Sequence, residues 1–300
     1  MLPLKTVSPD NPFELENTAA YAAWREKKLA QHPQQAESLI VEVKDPCKLS
    51  QDEREAILEC CARANMAVYK GPTGTDPDKR IPATFGAQFG LRNLDRNMGS
   101  DDDGITALQV VNSEWRGRYI PYTDRTIHWH TDGYYNALDQ QIFSLLLHCV
   151  RPAESGGENA VLDHEIAYIR LRDEKPAYIE ALMAPDAMTI PANVEQGVEI
   201  RPARSGPVFS VNGGRRLHMR YTARTHSIVW KQDAVTQAAV HALETLLSSD
   251  DPYIFRLTLQ PGWGLISSNV LHDRSRFEDN PDRPRLLYRL RYFDRIEAGS

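Results

Sequence analysis

From Ile105 to the C-terminus the chain is a run of short strand-like segments separated by turns. ITALQVVNS, TIHWHTD, IFSLLLHCV, AVLDH, residues 187–191, VEIRP, PVFSV, RRLHMRY, IFRLTLQ, GLISS and LLYRLRYFD are rich in apolar, β-branched or alternating residues, with Gly, Pro, Asp or Asn between them. Helical periodicity interrupts the series near 164–183 and at 234–248 (AVTQAAVHALETLLS). Many short strands with two helical insertions predict a mainly β fold with flanking helices, a sandwich or barrel whose mouth offers a site. No βαβ series and no glycine fingerprint occur, which argues against a dinucleotide-binding fold.

The N-terminal part has a different rhythm. Residues 17–31 and 50–65 read as helices, the second opened by Ser50 and Glu53 at capping-box spacing. Strands are expected at 38–43 and 66–69. From Gly71 to Gly104 the chain is rich in Gly, Pro, Asp and Asn without a sustained period, the composition of a long connection that can serve as a lid. The expected organisation is a single catalytic domain over 1–300. Its N-terminal helix and strand segment and lid loop (about 71–104) occupy 1–104, and its β core occupies 105–295.

Bulk properties narrow the function classes. A chain of 300 residues with 41% hydrophobic and 25% charged residues can bury a real core. A net charge of -6 disfavours a general nucleic-acid binder, since phosphate contacts need clustered Lys and Arg. The N-terminus shows no basic-then-apolar leader. The longest apolar run, Ile142 to Val150, is broken by Ser144 and His148 and falls far short of the about 20 residues of a membrane span. Cys47, Cys60, Cys61 and Cys149 form no CxxC pair and read as reduced thiols. These features predict a cytoplasmic protein with a small-molecule partner, no nucleic acid and no membrane.

The chemistry lies in Thr126-Ile127-His128-Trp129-His130-Thr131-Asp132, which alternates strictly. As a strand it places Thr126, His128, His130 and Asp132 on one face. A His and a carboxylate two apart can bite one metal. Fe(II) with open positions is bound by two His and one carboxylate on one side of the octahedron. The pair alone is better read as a polar strand end. A third ligand must come from afar. His32 and His241 lie in predicted helices, His148 in an apolar strand, and His218 and His226 flank an Arg-rich strand. His272 follows GLISSNV and precedes a final strand with Arg285, Leu287, Arg289 and Arg291 on one face and Leu286, Tyr288, Leu290 and Tyr292 on the other. Arginines on a buried face call for anions, and a dicarboxylate supplies one through the two-pronged guanidinium fork. On an exposed face they would pair with surface acids.

HTDGYY at 130–135, LLHCVRPAESGGENAVLDH at 146–164 and NVLHDRSRFEDNPDRPRLLYR at 269–289 resemble the taurine dioxygenase and γ-butyrobetaine hydroxylase superfamily. The order and spacing match over roughly 105–295. The chain lacks the cysteine pattern of the added N-terminal zinc module found in the γ-butyrobetaine branch. The resemblance implies a double-stranded β-helix (jelly roll) and an Fe(II)- and 2-oxoglutarate-dependent dioxygenase that uses O₂ and releases succinate and CO₂. It implies iron ligands His130, Asp132 and His272, with no catalytic residue beyond them. Arg285 would grip the distal carboxylate of 2-oxoglutarate, with Asn159 beside it where the family often has Thr or Ser. Arg289 falls where taurine dioxygenase meets its substrate's sulfonate. Halogenating relatives replace the carboxylate at the position of Asp132, so its presence favours hydroxylation. A homo-oligomer, dimer or tetramer, is expected by the same resemblance.

For substrate, Arg289 and Arg291 favour an anion, while Tyr134 and Tyr135 with Tyr119, Tyr122 and Trp129 could cage a quaternary ammonium or simply pack. His128 reads as a partner of the ligands or a substrate contact. Arg220 and Arg224 read as structural ion-pair residues, and Arg274 as a brace for the ligand loop or the cosubstrate. The leading expectation is hydroxylation of an unactivated C–H bond in a small anionic or zwitterionic metabolite: a sulfonate, a betaine or an amino-acid-like molecule. The alternatives are a cupin-like barrel that binds metal or ligand without oxygenase activity, and the same machinery giving desaturation or cyclisation.

Overall fold

The computed structural model describes residues 11–96, 100–111, 119–212, 215–224 and 228–297. His226 lies outside them. The chain divides into two compact units, one formed by 1–32, 164–220 and 225–249, the other by 33–163, 221–224 and 250–300. The fold is mixed, rich in sheet with helices. Among the described residues no helix is long and apolar enough to cross a membrane.

Among the described residues the larger unit holds three sheets, the smallest a pairing of Ser155–Gly156 with Phe277–Glu278. One has six strands in the order Ile40–Glu42, Met66–Lys70, Trp263–Ser267, Ser144–Arg151, Leu286–Tyr292 and Thr106–Leu108, with the first pair parallel and the rest antiparallel. The four-stranded sheet is antiparallel, in the order Phe255–Leu257, Asn159–Leu162, Leu271–Arg274 and Ile127–His130. Strand alternation sorts the side chains of the six-stranded sheet into two clusters. Ala67, Tyr69, Leu146, Ile266, Tyr288, Leu290 and Tyr292 pack on one face. Met66, Val68, Leu145, Leu147, Leu265 and Leu287 pack on the other, together with Val161 and Phe255 of the four-stranded sheet. Arg289 and Arg291 share the face of Leu287, so they enter the space lined by both sheets.

The predicted helices appear at Thr18–Gln31 and Gln51–Ala64, the latter with the Ser50–Glu53 capping box formed in full. The stretch near 164–183 is two helices, His164–Glu174 and Pro176–Leu182. Pro176 supplies no N–H to the turn before it, so the first helix ends there and the second starts with Pro in its opening turn. Within 71–104 a helix at Arg80–Ala87 buries Ile81, Pro82 and Phe85. Pro82 lies in its first turn, where the missing N–H is not needed. The sequence signal was masked because Pro82 and Gly86 punctuate an eight-residue element.

The smaller unit packs Phe13, Trp24, Tyr168 and Phe209 edge to face. Buried Arg220, expected to form a structural ion pair, donates to the backbone carbonyls of Met188, Arg204 and Pro207.

Candidate metal centre

His130 ends its strand, and it pairs directly with His272 across the four-stranded sheet. The chain reaches this register by changing sheets. The strand Trp263–Ser267 belongs to the six-stranded sheet, Asn269 turns the backbone at a left-handed φ of 54°, and Leu271–Arg274 starts in the other sheet. His272 therefore lies within a strand of its own rather than beyond the end of GLISSNV. Asp132 lies two residues past His130, outside the strand. Gly133 follows it at a φ of +68°, where an added Cβ would stand 2.4 Å from Ile142 Cγ1.

The ligand-type atoms of His130, Asp132 and His272 all lie within 4.8 Å of one another. Both imidazoles are oriented the same way. Nδ1 of His130 donates to His128 O, and Nδ1 of His272 donates to Val270 O, each at 2.9 Å. A carbonyl only accepts, so Nδ1 carries the proton and Nε2 keeps its lone pair for a metal. Burial, aided by His272, pushes the His130 imidazole down to about 3, so it stays neutral. Burial opposes the charge on Asp132, but Arg289 and Arg291 outweigh it and hold the carboxyl well below its usual range.

The two oxygens of Asp132 have different surroundings. Oδ1 accepts from Arg289 Nη1 at 3.1 Å and lies 3.6 Å from Arg291 Nη1. Oδ2 lies 3.8 Å from His272 Nε2, buried and without a hydrogen-bond partner. A buried carboxylate oxygen facing two imidazole lone pairs is an electron-rich corner that a divalent cation would satisfy. Two His and one carboxylate with an open side suit Fe(II). The donor set fits the expected metal.

Arg285 is 4% exposed, and its guanidinium stacks on Phe277 at 5.0 Å. Arg274 covers the same ring at 4.7 Å and donates to the carbonyls of Thr123 and Arg125, bracing the approach to His130. Burial lowers Arg285 to about 10, which leaves it cationic near neutrality. Among the described residues no side-chain carboxylate pairs with that guanidinium. Arg285 and Asn159 line one recess with Pro152, Gly156, Gly157 and Leu259. Asn159 Nδ2 donates to Asp273 O at 2.7 Å, so only part of its amide faces that recess.

The remaining expected residues divide. Tyr135 Oη accepts from Arg291 at 2.7 Å, and Tyr134 packs edge-on against Tyr135 at 5.1 Å. The side chain of His128 is exposed, and its backbone carbonyl is what it gives to His130. Two residues that the sequence reading left unassigned stand beside the centre. Asn269 binds the backbone of Asp132, and Asp95 pairs with Arg291.

Residues 26–291 match the family described as "Taurine catabolism dioxygenase TauD, TfdA family". The chain belongs to that family. Two curated relatives are similar to this TauD/TfdA chain. One is a uridine-5'-phosphate dioxygenase of Amycolatopsis sp, 32% identical over 177 residues, 57% of this chain and 62% of that protein. The other is a uridine-5'-phosphate dioxygenase of Streptomyces sp, 31% identical over 201 residues, 63% of this chain and 69% of that protein. The alignment thus spans under two thirds of the Amycolatopsis protein's own length. Among solved structures, the non-heme iron oxygenase OrfP in complex with Fe, succinate and (3S)-hydroxy-L-Arg has a TM-score of 0.61 at 15% identity, covering 82% of each chain. Asparagine oxygenase (AsnO) has a TM-score of 0.56 at 15% identity, covering 81% of this chain and 79% of its own. At such identity the likeness is one of fold.

Proposed function

We propose that this chain is an Fe(II)- and 2-oxoglutarate-dependent oxygenase, built on a double-stranded β-helix, that hydroxylates a C–H bond of a small anionic metabolite. The observation that carries the reading is Asp132 Oδ2, buried and unpartnered, facing His272 and grouped with His130. His130 Nε2, Asp132 Oδ2 and His272 Nε2 are the iron ligands in this reading. Iron with bound 2-oxoglutarate and O₂ supplies the oxidising power that turns a substrate C–H into C–OH, with 2-oxoglutarate leaving as succinate and CO₂.

The protein's own share is positioning. Arg285, buried on Phe277 and paired with no side-chain carboxylate among the described residues, pairs with the distal carboxylate of 2-oxoglutarate. Asn159 stands at the same recess as a neutral hydrogen-bonding neighbour. This arrangement also disfavours a barrel that binds a metal alone, because such a barrel has no need of a buried arginine that pairs with no carboxylate among the described residues. Arg289 gives Nη1 to Asp132 and keeps a buried, unpartnered Nε, so it can still meet a substrate anion. The names of the curated relatives make a nucleoside monophosphate the first substrate to test, ahead of amino acids, sulfonates and betaines.

The test is succinate release with Fe(II), 2-oxoglutarate and ascorbate across those four classes. It is paired with the anaerobic visible spectrum of the Fe(II)·2-oxoglutarate complex in the wild type and in His130→Ala. The expected result is a weak charge-transfer band that His130→Ala abolishes, and succinate release stimulated by an anionic substrate. Absence of both the band and succinate in the wild type overturns the reading.

A further inference from the structure

Among the described residues Arg291 is the largest fully buried side chain, at 2% exposure. A guanidinium so placed needs a reason, because burying a charge is costly unless it is paired and hydrogen-bonded. Three groups from two parts of the chain surround it. Nη1 donates to Tyr135 Oη at 2.7 Å and lies 3.6 Å from Asp132 Oδ1. Nη2 donates to the Asp95 carboxylate. Asp95 is itself tied to the same residue by its backbone, whose N–H donates to Arg291 O at 2.8 Å, and Leu94 bridges to Tyr292 beside it. Acid, arginine and strand therefore form one fixed unit.

We propose that Arg291 is a positioning residue for the metal-ligating carboxylate of Asp132, held on its far side by Asp95 and Tyr135, and is not a contact for substrate. The inference rests on the reading of Asp132 as an iron ligand. Its physical basis is the asymmetry of that carboxylate. Both neighbouring cations, Arg289 and Arg291, come nearest at Oδ1, whereas Oδ2 has no hydrogen-bond partner. Rotating the carboxylate would carry Oδ1 away from both. The clamp thus selects one oxygen for the metal. Asp95 completes the charge balance: two carboxylates face two guanidiniums, so Arg291 does not draw on Asp132 alone. The assignment also reallocates the arginine face of the final strand. Both terminal nitrogens of Arg291 are taken by protein groups, which leaves only its Nε without a partner, Arg289 gives one nitrogen to Asp132, and Arg285 is left for an external anion.

Partners of metal ligands tune affinity by about 10- to 100-fold when lost. The test is Mn(II) binding followed by electron paramagnetic resonance, without substrate, on the wild type, Arg291→Lys, the charge-neutral pair Asp95→Asn/Arg291→Gln, Tyr135→Phe and Asp132→Ala. Lysine keeps the charge but lacks the fork that reaches Asp95, Tyr135 and Asp132 together. Expected are Mn(II) dissociation constants raised at least tenfold in Arg291→Lys and in the double variant, with circular dichroism unchanged, and a smaller rise in Tyr135→Phe. Wild-type Mn(II) affinity in these variants, with only the substrate KM raised, overturns the proposal and returns Arg291 to substrate binding. Should the Arg291 variants fail to fold, Tyr135→Phe decides: unaltered Mn(II) affinity and linewidth there overturn it. A wild type that binds Mn(II) no better than Asp132→Ala sinks the underlying iron-site reading instead, a separate and recognisable result.

Discussion

Asn269 grips the backbone of Asp132 at two points: its Oδ1 accepts from the Asp132 N–H at 2.8 Å, and its Nδ2 donates to the Asp132 carbonyl at 2.9 Å. The same Nδ2 donates to Ile142 O at 2.8 Å. One side chain thus joins the turn between the two sheets to the backbone of Asp132, the proposed ligand. Asn is suited to both tasks, because it tolerates a left-handed φ and carries donor and acceptor on one short arm.

Replacing it should separate these roles. Asn269→Ala leaves a buried N–H and two carbonyls without partners, at roughly 2–4 kcal/mol in all. Asn269→Asp keeps the acceptor, loses the donor and buries a charge. Both should lower the urea unfolding midpoint and weaken Mn(II) binding at least tenfold. A variant with wild-type metal affinity would show that the grip serves folding alone.

Arg285 makes a prediction of a different kind. Its guanidinium stands apart from the triad, in the recess it shares with Asn159. Arg285→Gln should raise the KM for 2-oxoglutarate roughly 100-fold, the loss of a charge-assisted pair of about 3 kcal/mol. Mn(II) affinity measured without 2-oxoglutarate should stay unchanged. A KM within twofold of wild type would remove Arg285 from the cosubstrate site.

Gly133 tests how the chain leaves the centre. Its φ of +68° and the 2.4 Å approach that a Cβ would make to Ile142 act together. Gly133→Ala should destabilise by about 2–4 kcal/mol, from strain plus displacement of a buried side chain. Thermal unfolding checks this, and a midpoint equal to wild type would show that the turn can relax.

Much of this site could be read from the sequence where its signal is local. The alternation around His130 and the two faces of Leu286–Tyr292 depend on a period of two, and the capping box at Ser50 depends on one helical turn. The assignments that failed to surface are those made by tertiary partners. Asn269 looks like any turn residue until Asp132 is placed beside it. Asp95 sits in a stretch without periodicity and gains meaning only from Arg291. His128, on the expected face, turns its side chain to solvent because the strand stops at His130 and the site lies beyond its end. Arg289 is readable as an arginine near the site, but not as a partner of Asp132.

The last prediction concerns acid stability and rests on a histidine away from the metal. His148 is fully buried in the six-stranded sheet, its Nδ1 hydrogen-bonded to the Tyr69 hydroxyl at 2.8 Å. Burial pushes its imidazole from 6.5 down to about 4. Above pH 6.5 both folded and unfolded chains hold it neutral, so it contributes no pH dependence there. As pH falls through 6.5 the unfolded chain takes up a proton that the folded chain refuses until about 4. Stability should therefore drop across that window by about 1.4 kcal/mol per pH unit from this group, about 3 kcal/mol in total. His148→Gln preserves an acceptor for Tyr69 and removes the titration. It should be less stable than wild type at pH 7 through imperfect packing, yet lose less stability on going to pH 4. Urea unfolding of both proteins at half-unit pH steps reads the difference as a change in slope. Parallel curves would mean that His148 takes up its proton in the folded protein at an ordinary pH, and that the buried Tyr69–His148 pair opens to water.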